Sequence, residues 1–119
     1  DLLPGLPIQD VINSVHQRGG VAIPAHPYQK DMTGRLLGDL VLALQGLSAL
    51  EVANGSVSSA ENRLALQAAA MLGLKGIGGS DAHGLAAVGQ AYTLFPSAVR
   101  TDRELVEVLR HGNYKAQVY

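Results

Sequence analysis

Cysteine is absent from the 119 residues, which excludes a disulfide framework and any thiolate metal site, and fits a reducing compartment such as the cytoplasm. Charge is sparse as well. Only 16% of residues are Asp, Glu, Lys or Arg, the net charge is −1, and the basic residues are scattered rather than clustered. That distribution gives no electrostatic footprint for a nucleic-acid backbone or an anionic membrane. A small anionic substrate stays compatible, because a bound metal can supply positive charge locally. Long hydrophobic runs are also missing. The longest, around Leu64 to Leu74, is interrupted by Gln67 and Gly73 and is too short to span a bilayer. The first residues, Asp1-Leu-Leu-Pro, lack the basic start and small-residue cleavage site of a signal peptide.

What is present describes a compact fold. The hydrophobic fraction is 47%, and abundant Ala and Gly suit closely packed helices and backbone turns. The length suits one domain but is short for a barrel enzyme.

Periodicity predicts alternating elements. Ile8, Val11, Ile12 and Val15 stand at helical spacing within Pro7 to Arg18, and Gly19-Gly20 stops the helix. Val21-Ala-Ile-Pro-Ala reads as a buried strand running into a loop at His26-Pro27. Asp39 is expected to cap a short helix through about Gln45. Leu47 to Ala53 reads as a second strand, broken at the turn-forming pair Asn54-Gly55. Ser58 and Glu61 form a capping box before an Ala- and Leu-rich helix that Gly73 ends. The glycine-rich strand Leu74 to Ser80 leads into Asp81-Ala-His83, and Ala91 to Phe95 is a further strand. Thr101 and Glu104 make a second capping box before a helix ending at Gly112, and Tyr114 to Val118 is a last short strand. Such alternation predicts an α/β fold with mainly parallel short strands. In parallel α/β folds ligands bind at the C-terminal edge of the sheet, so His26, Asn54, Asp81 and His83 should reach one rim.

Asp81 and His83 are two residues apart, so an extended backbone projects both from one face. A hard carboxylate with a borderline imidazole suits zinc, manganese or iron better than calcium. Gly76, Gly78 and Gly79 leave room for a close approach by a metal, a ligand or a neighbouring strand. Taken alone, the tripeptide reads equally as a loop in which Asp81 caps a turn and His83 is solvated. His26 alone reads equally as a packed core histidine, although the flanking prolines fix the backbone direction at its strand end.

Three ordered runs, Gly20-Val-Ala-Ile-Pro-Ala-His-Pro27, Leu50-Glu-Val-Ala-Asn-Gly55 and Gly78-Gly-Ser-Asp-Ala-His-Gly84, followed by Val88-Gly89, resemble the later motifs of the polymerase and histidinol phosphatase (PHP) family. The resemblance runs roughly from Pro7 to Pro96. It implies part of a distorted β/α barrel whose C-terminal rim holds two or three divalent metals and hydrolyses phosphoesters of a small metabolite or nucleotide. It assigns His26, Asp81 and His83 as metal ligands. The family's opening His-x-His strand and further ligands are absent from these residues, so the chain is expected to be the C-terminal portion of such a domain and inactive alone. His16, inside a helix, is expected to be solvated, and His111 to meet terminal carbonyls.

Glu51 is placed as a neighbour of the ligands or a structural ion pair, since three positions before Asn54 it should not share that residue's face on a regular strand. Asn54 reads equally as a turn residue bonding local backbone. Arg35 and Lys30 could meet a phosphate or be solvated loop charges. Ser80 could donate a hydrogen bond near the metals but has no adjacent base to make it a nucleophile. Two other readings use the same residues: a non-catalytic PHP-associated module that self-associates through exposed strand edges, and a metal-dependent amide or ring hydrolase.

Overall fold

The computed structural model describes residues 5–34 and 36–119, so the expectation placed on Arg35 lies outside the described residues. Helix α1 spans Ile8–Gln17, with Gly19 following in the left-handed region at φ 80°. Strand β1, Ala49–Asn54, pairs in parallel with β2, Lys75–Gly79, and helix α2, Ser59–Leu72, makes the crossover between them. After β2 the chain forms β3, Ala91–Leu94, helix α3, Asp102–His111, and β4, Lys115–Val118, which pairs antiparallel with β3. The fold is therefore mixed α/β with a small parallel sheet, and the described residues close no barrel. No helix among them is long and apolar enough to cross a membrane.

Every residue of β1 is buried, as expected of a strand covered on both faces. Leu50 and Val52 pack with Val41 and Tyr28 against Ala65, Ala68 and Ala69 of α2, whose small side chains at i, i+3 and i+4 let the helix lie close to the sheet. Ala49 belongs to a second cluster with Leu109 and Tyr114, joined by Ile23, Ile77 and Phe95. The α2 ends follow the sequence. Ser58 accepts from the Glu61 N–H while the Glu61 carboxylate accepts from the Ser58 N–H, and Gly73 closes the helix at φ 66°. At α3 the box is half formed: Thr101 accepts from the Glu104 N–H, but the Glu104 carboxylate takes the Arg100 N–H instead.

Two expectations are corrected. Residues Val21 to Ala25 form no regular strand. The Ser48 N–H reaches the Ala22 carbonyl at 3.4 Å, and a parallel ladder would return the next bond from residue 24. That residue is Pro24, which has no N–H to give. The segment stays extended beside β1, with the Glu51 N–H bonding the Pro24 carbonyl at 3.2 Å.

Asp39 does not cap the short 3-10 helix Gly38–Ala43. Its carboxylate accepts from the Tyr28 hydroxyl at 2.8 Å. Burial, and then the bond and charge of Asp39, push the Tyr28 hydroxyl up to about 12. A folded-state pKa raised above the ordinary 10 contributes stability that is fully present below pH 10 and is lost as pH rises towards 12. Tyr28→Phe should therefore be less stable at neutral pH by about 1 to 3 kcal/mol. The gap between variant and wild type should narrow between pH 10 and 12 in thermal melts followed by circular dichroism.

At the N-terminal end of the sheet, a cavity of about 510 Å3 is lined by His16, Lys75, Arg110 and His111 among others. Its cations answer chain carbonyls near helix C-termini. Lys75 donates to the Gly112 carbonyl and lies 5.5 Å from the Tyr114 ring centroid, Arg110 donates to the Gly20 carbonyl at 2.7 Å, and the His16 Nε2 meets the Gly46 carbonyl. Each contact satisfies a chain carbonyl at or just past a helix end, and so helps to hold the fold. His16 is thus engaged as well as exposed.

Candidate active site at the strand ends

The opposite end of the sheet gathers the candidate residues. Between Glu51 and Ala53 the β1–β2 register shifts: Glu51 pairs with Ile77 and Ala53 with Gly78, so two steps on β1 answer one on β2. Val52 is the extra residue of a β-bulge. The bulge reverses the expectation for Glu51, because one inserted residue makes a separation of three behave as a separation of two. Glu51 and Asn54 therefore share a face, and the Asn54 Nδ2 donates to the Glu51 Oε2 at 3.0 Å.

The glycines of β2 make this geometry possible. A Cβ on Gly76 would run into the Val52 side chain, and one on Gly79 would sit 3.0 Å from the Glu51 Oε1. The missing side chains admit the bulge and the buried carboxylate rather than a metal directly. On the other side of β2, Gly78 passes so close to Tyr92 that a Cβ would collide with its carbonyl oxygen. There the Thr93 hydroxyl accepts from the Gly78 N–H at 2.9 Å and donates to the Gly78 carbonyl at 2.8 Å, bridging β2 to β3 where no backbone ladder forms.

Glu51 and Asn54 join the end of the extended segment that precedes His26 to the end of β2. The His26 backbone N–H donates to the Glu51 Oε2 at 2.7 Å, and the Asn54 Nδ2 also faces the Asp81 Oδ2 at 3.3 Å. Asn54 serves both readings made of it. Its Oδ1 accepts from the Ser56 N–H at 2.8 Å in a local turn, while its amide faces two carboxylates. It is 2% exposed and Glu51 9%, so this polar pair is satisfied within the protein.

His26 and Asp81 are the only non-glycine residues among those described with positive φ, at 27° and 51°. An L-residue held there is strained by roughly 1 to 3 kcal/mol, and such strain clusters at functional sites. His83 is exposed, and its Nδ1 lies 2.8 Å from the Asp81 carbonyl. A carbonyl can only accept, so that nitrogen donates, and in the neutral ring this bond selects the tautomer that leaves Nε2 for ligation.

Ser56 is a contributor that periodicity did not single out. Its hydroxyl reaches the Ser80 and Asp81 carbonyls, each at 2.9 Å, and so fixes the backbone from which Asp81 projects. The signal was the Asn54-Gly55-Ser56 turn, whose third residue lies within reach of the neighbouring strand end. Lys30 bonds Glu61 through its backbone and places its charge near that carboxylate, which the Ser58 N–H in the first place holds below the usual range. Ser80 contributes its carbonyl.

What converges is the His26 backbone with the Glu51, Asn54 and Asp81 side chains. Among the described residues, no three His, Asp or Glu side chains stand together as a group able to hold a metal ion. The donor types of His26, Asp81 and His83 are those that a borderline divalent metal takes.

Residues 59–114 match the model of a protein family described as PHP-associated. The match takes in Ser80, Asp81 and His83, while His26, Glu51 and Asn54 precede it. No curated protein matches the chain. The crossover helix α2 and the Asp-Ala-His turn both lie inside the matched span, so it is this part of the chain that is similar to the PHP-associated family.

Proposed function

We propose that this chain supplies His26, Asp81 and His83 to a multinuclear divalent-metal site that hydrolyses phosphoesters of a small metabolite or nucleotide. The further donors come from outside these residues, as does the remainder of a distorted barrel. The observation that carries this reading is the pair of strained residues, His26 at the end of the extended segment beside β1 and Asp81 just past β2, joined through Glu51 and Asn54. Zinc, manganese or iron bound there would polarise a phosphoryl oxygen and lower the pKa of an attacking water. Within that scheme Asp81 supplies negative charge, and His83 presents Nε2 because its Nδ1 proton is held by the Asp81 carbonyl. His26 presents its ring from a backbone fixed by Glu51.

A second reading is a PHP-associated module without catalysis, which pairs with another copy or chain through its strand edges. The spacing of the acidic and histidine side chains favours it, because none of their groupings among the described residues is ready to hold a metal.

Calorimetric titration with Mn2+ or Zn2+, beside an assay of phosphodiester cleavage, separates the two. The first reading expects measurable metal binding by the chain and no turnover until the missing donors are supplied. Absence of metal binding together with a stable dimer in sedimentation would favour the second.

A further inference from the structure

We infer that Glu51 is a positioning residue, whose buried carboxylate holds His26 in its strained conformation and, through the Asn54 amide, fixes Asp81 relative to it. The inference rests on the metal-site reading for its functional meaning, but its geometry stands on separate observations. Three features make Glu51 more than a satisfied core acid. The bulge at Val52 turns it towards the strand ends, where a regular strand would point it away from Asn54. The Gly79 Cα leaves space for its Oε1, and a Cβ there would stand 3.0 Å from that oxygen. Its Oε2 accepts at once from the His26 N–H, 25 positions earlier in the chain, and from Asn54.

The His26 N–H is the group on which the strained turn depends. Rotation of φ out of the positive region would swing that N–H off the carboxylate and leave a buried acceptor short of a donor. Asn54 extends the hold to the second end, since one NH2 group faces both the Glu51 Oε2 and the Asp81 Oδ2 and separates two like charges that would otherwise repel. Distortion at either end is thereby transmitted to the other, and metal affinity should depend on Glu51 even though Glu51 is assigned no bond to the metal.

The test compares wild type with Glu51→Ala, Glu51→Gln and Asn54→Ala. Gln can accept both bonds on a single carbonyl oxygen, as Oε2 now does, so it should rescue geometry while removing charge. The first readout needs no metal: a positive φ gives a strong intraresidue amide-to-Hα cross-peak in an NOE spectrum. That cross-peak should be strong at His26 in wild type and Glu51→Gln, and weak in Glu51→Ala.

The second readout is Mn2+ titration. Glu51→Ala and Asn54→Ala should bind about 10- to 100-fold more weakly, with Glu51→Gln within about threefold of wild type. A folded Glu51→Ala that keeps both the cross-peak and wild-type affinity overturns the inference. If Glu51→Ala does not fold, Asn54→Ala decides in its place, and unchanged affinity with an unchanged Asp81 cross-peak overturns it. Should no protein in the series bind metal, the metal-site reading falls, and the His26 cross-peak alone confirms or rejects the positioning role.

Discussion

Replacing Asp81 with Asn is expected to weaken Mn2+ or Zn2+ binding by at least about tenfold, or 1.4 kcal/mol, while leaving the fold intact. The two effects separate for physical reasons. Asn nearly keeps the shape of Asp, and its side-chain carbonyl can still accept from the Asn54 amide that now faces the Asp81 Oδ2 at 3.3 Å. Asn also tolerates the left-handed region as readily as Asp does, so the φ of 51° is no obstacle. What is lost is one negative charge beside the cation. Calorimetric titration of wild type and variant, with thermal melts in chelator as the control for folding, measures both quantities. Equal affinities in the two proteins would remove Asp81 from the ligand set.

Gly78→Ala should have the opposite profile and destabilise the whole domain by roughly 3 kcal/mol. An added Cβ would collide with the Tyr92 carbonyl oxygen, which belongs to backbone and cannot rotate away as a side-chain end could. The same substitution would push apart the place where Thr93 grips the Gly78 N–H and carbonyl, the polar bridge between the parallel pair and the β3–β4 hairpin. Gly84→Ala is the matched control. Its Cβ would meet nothing within 4 Å and its φ is −163°, so a change within about 0.5 kcal/mol is expected in urea denaturation. Equal losses at both positions would show that loss of glycine, and not the approach to Tyr92, is responsible.

Much of the architecture was legible because local chemistry and global packing agree. Ser58 with Glu61, and Gly73 after the last turn, placed α2 from residues that satisfy helix ends wherever they occur. The strand ends at Asn54 and Gly79 could be read from the turn residues and glycines around them. The features that shape the site were not legible, for reasons particular to each. Alternation along β1 assumed a regular pleat, and nothing in Glu51-Val-Ala-Asn54 announces that Val52 is an extra residue. Its cause lies on the partner strand, where Gly76 makes room for it. The loss of a regular strand at Val21 to Ala25 needed the register with β1, which reveals that the absent N–H of Pro24 falls where the ladder requires a donor. The positive φ at His26 accompanies a bond from its N–H to a carboxylate 25 residues away, which local sequence does not announce. Asp39 was misread for a similar reason, since it lies within the short helix Gly38–Ala43 and its partner is the Tyr28 hydroxyl rather than that helix's end.

The proposal that His26, Asp81 and His83 contribute to one metal site is tested most directly by titrating substoichiometric Mn2+ into 15N-labelled protein and following paramagnetic broadening of each amide. Broadening should be greatest at Ala25, His26 and residues 80–84, should reach Asn54 and Gly55 next, and should spare His16 and His111 at the far end of the sheet. Broadening centred on His16 or His111, or confined to residues 80–84 with the amide of His26 untouched, would contradict it.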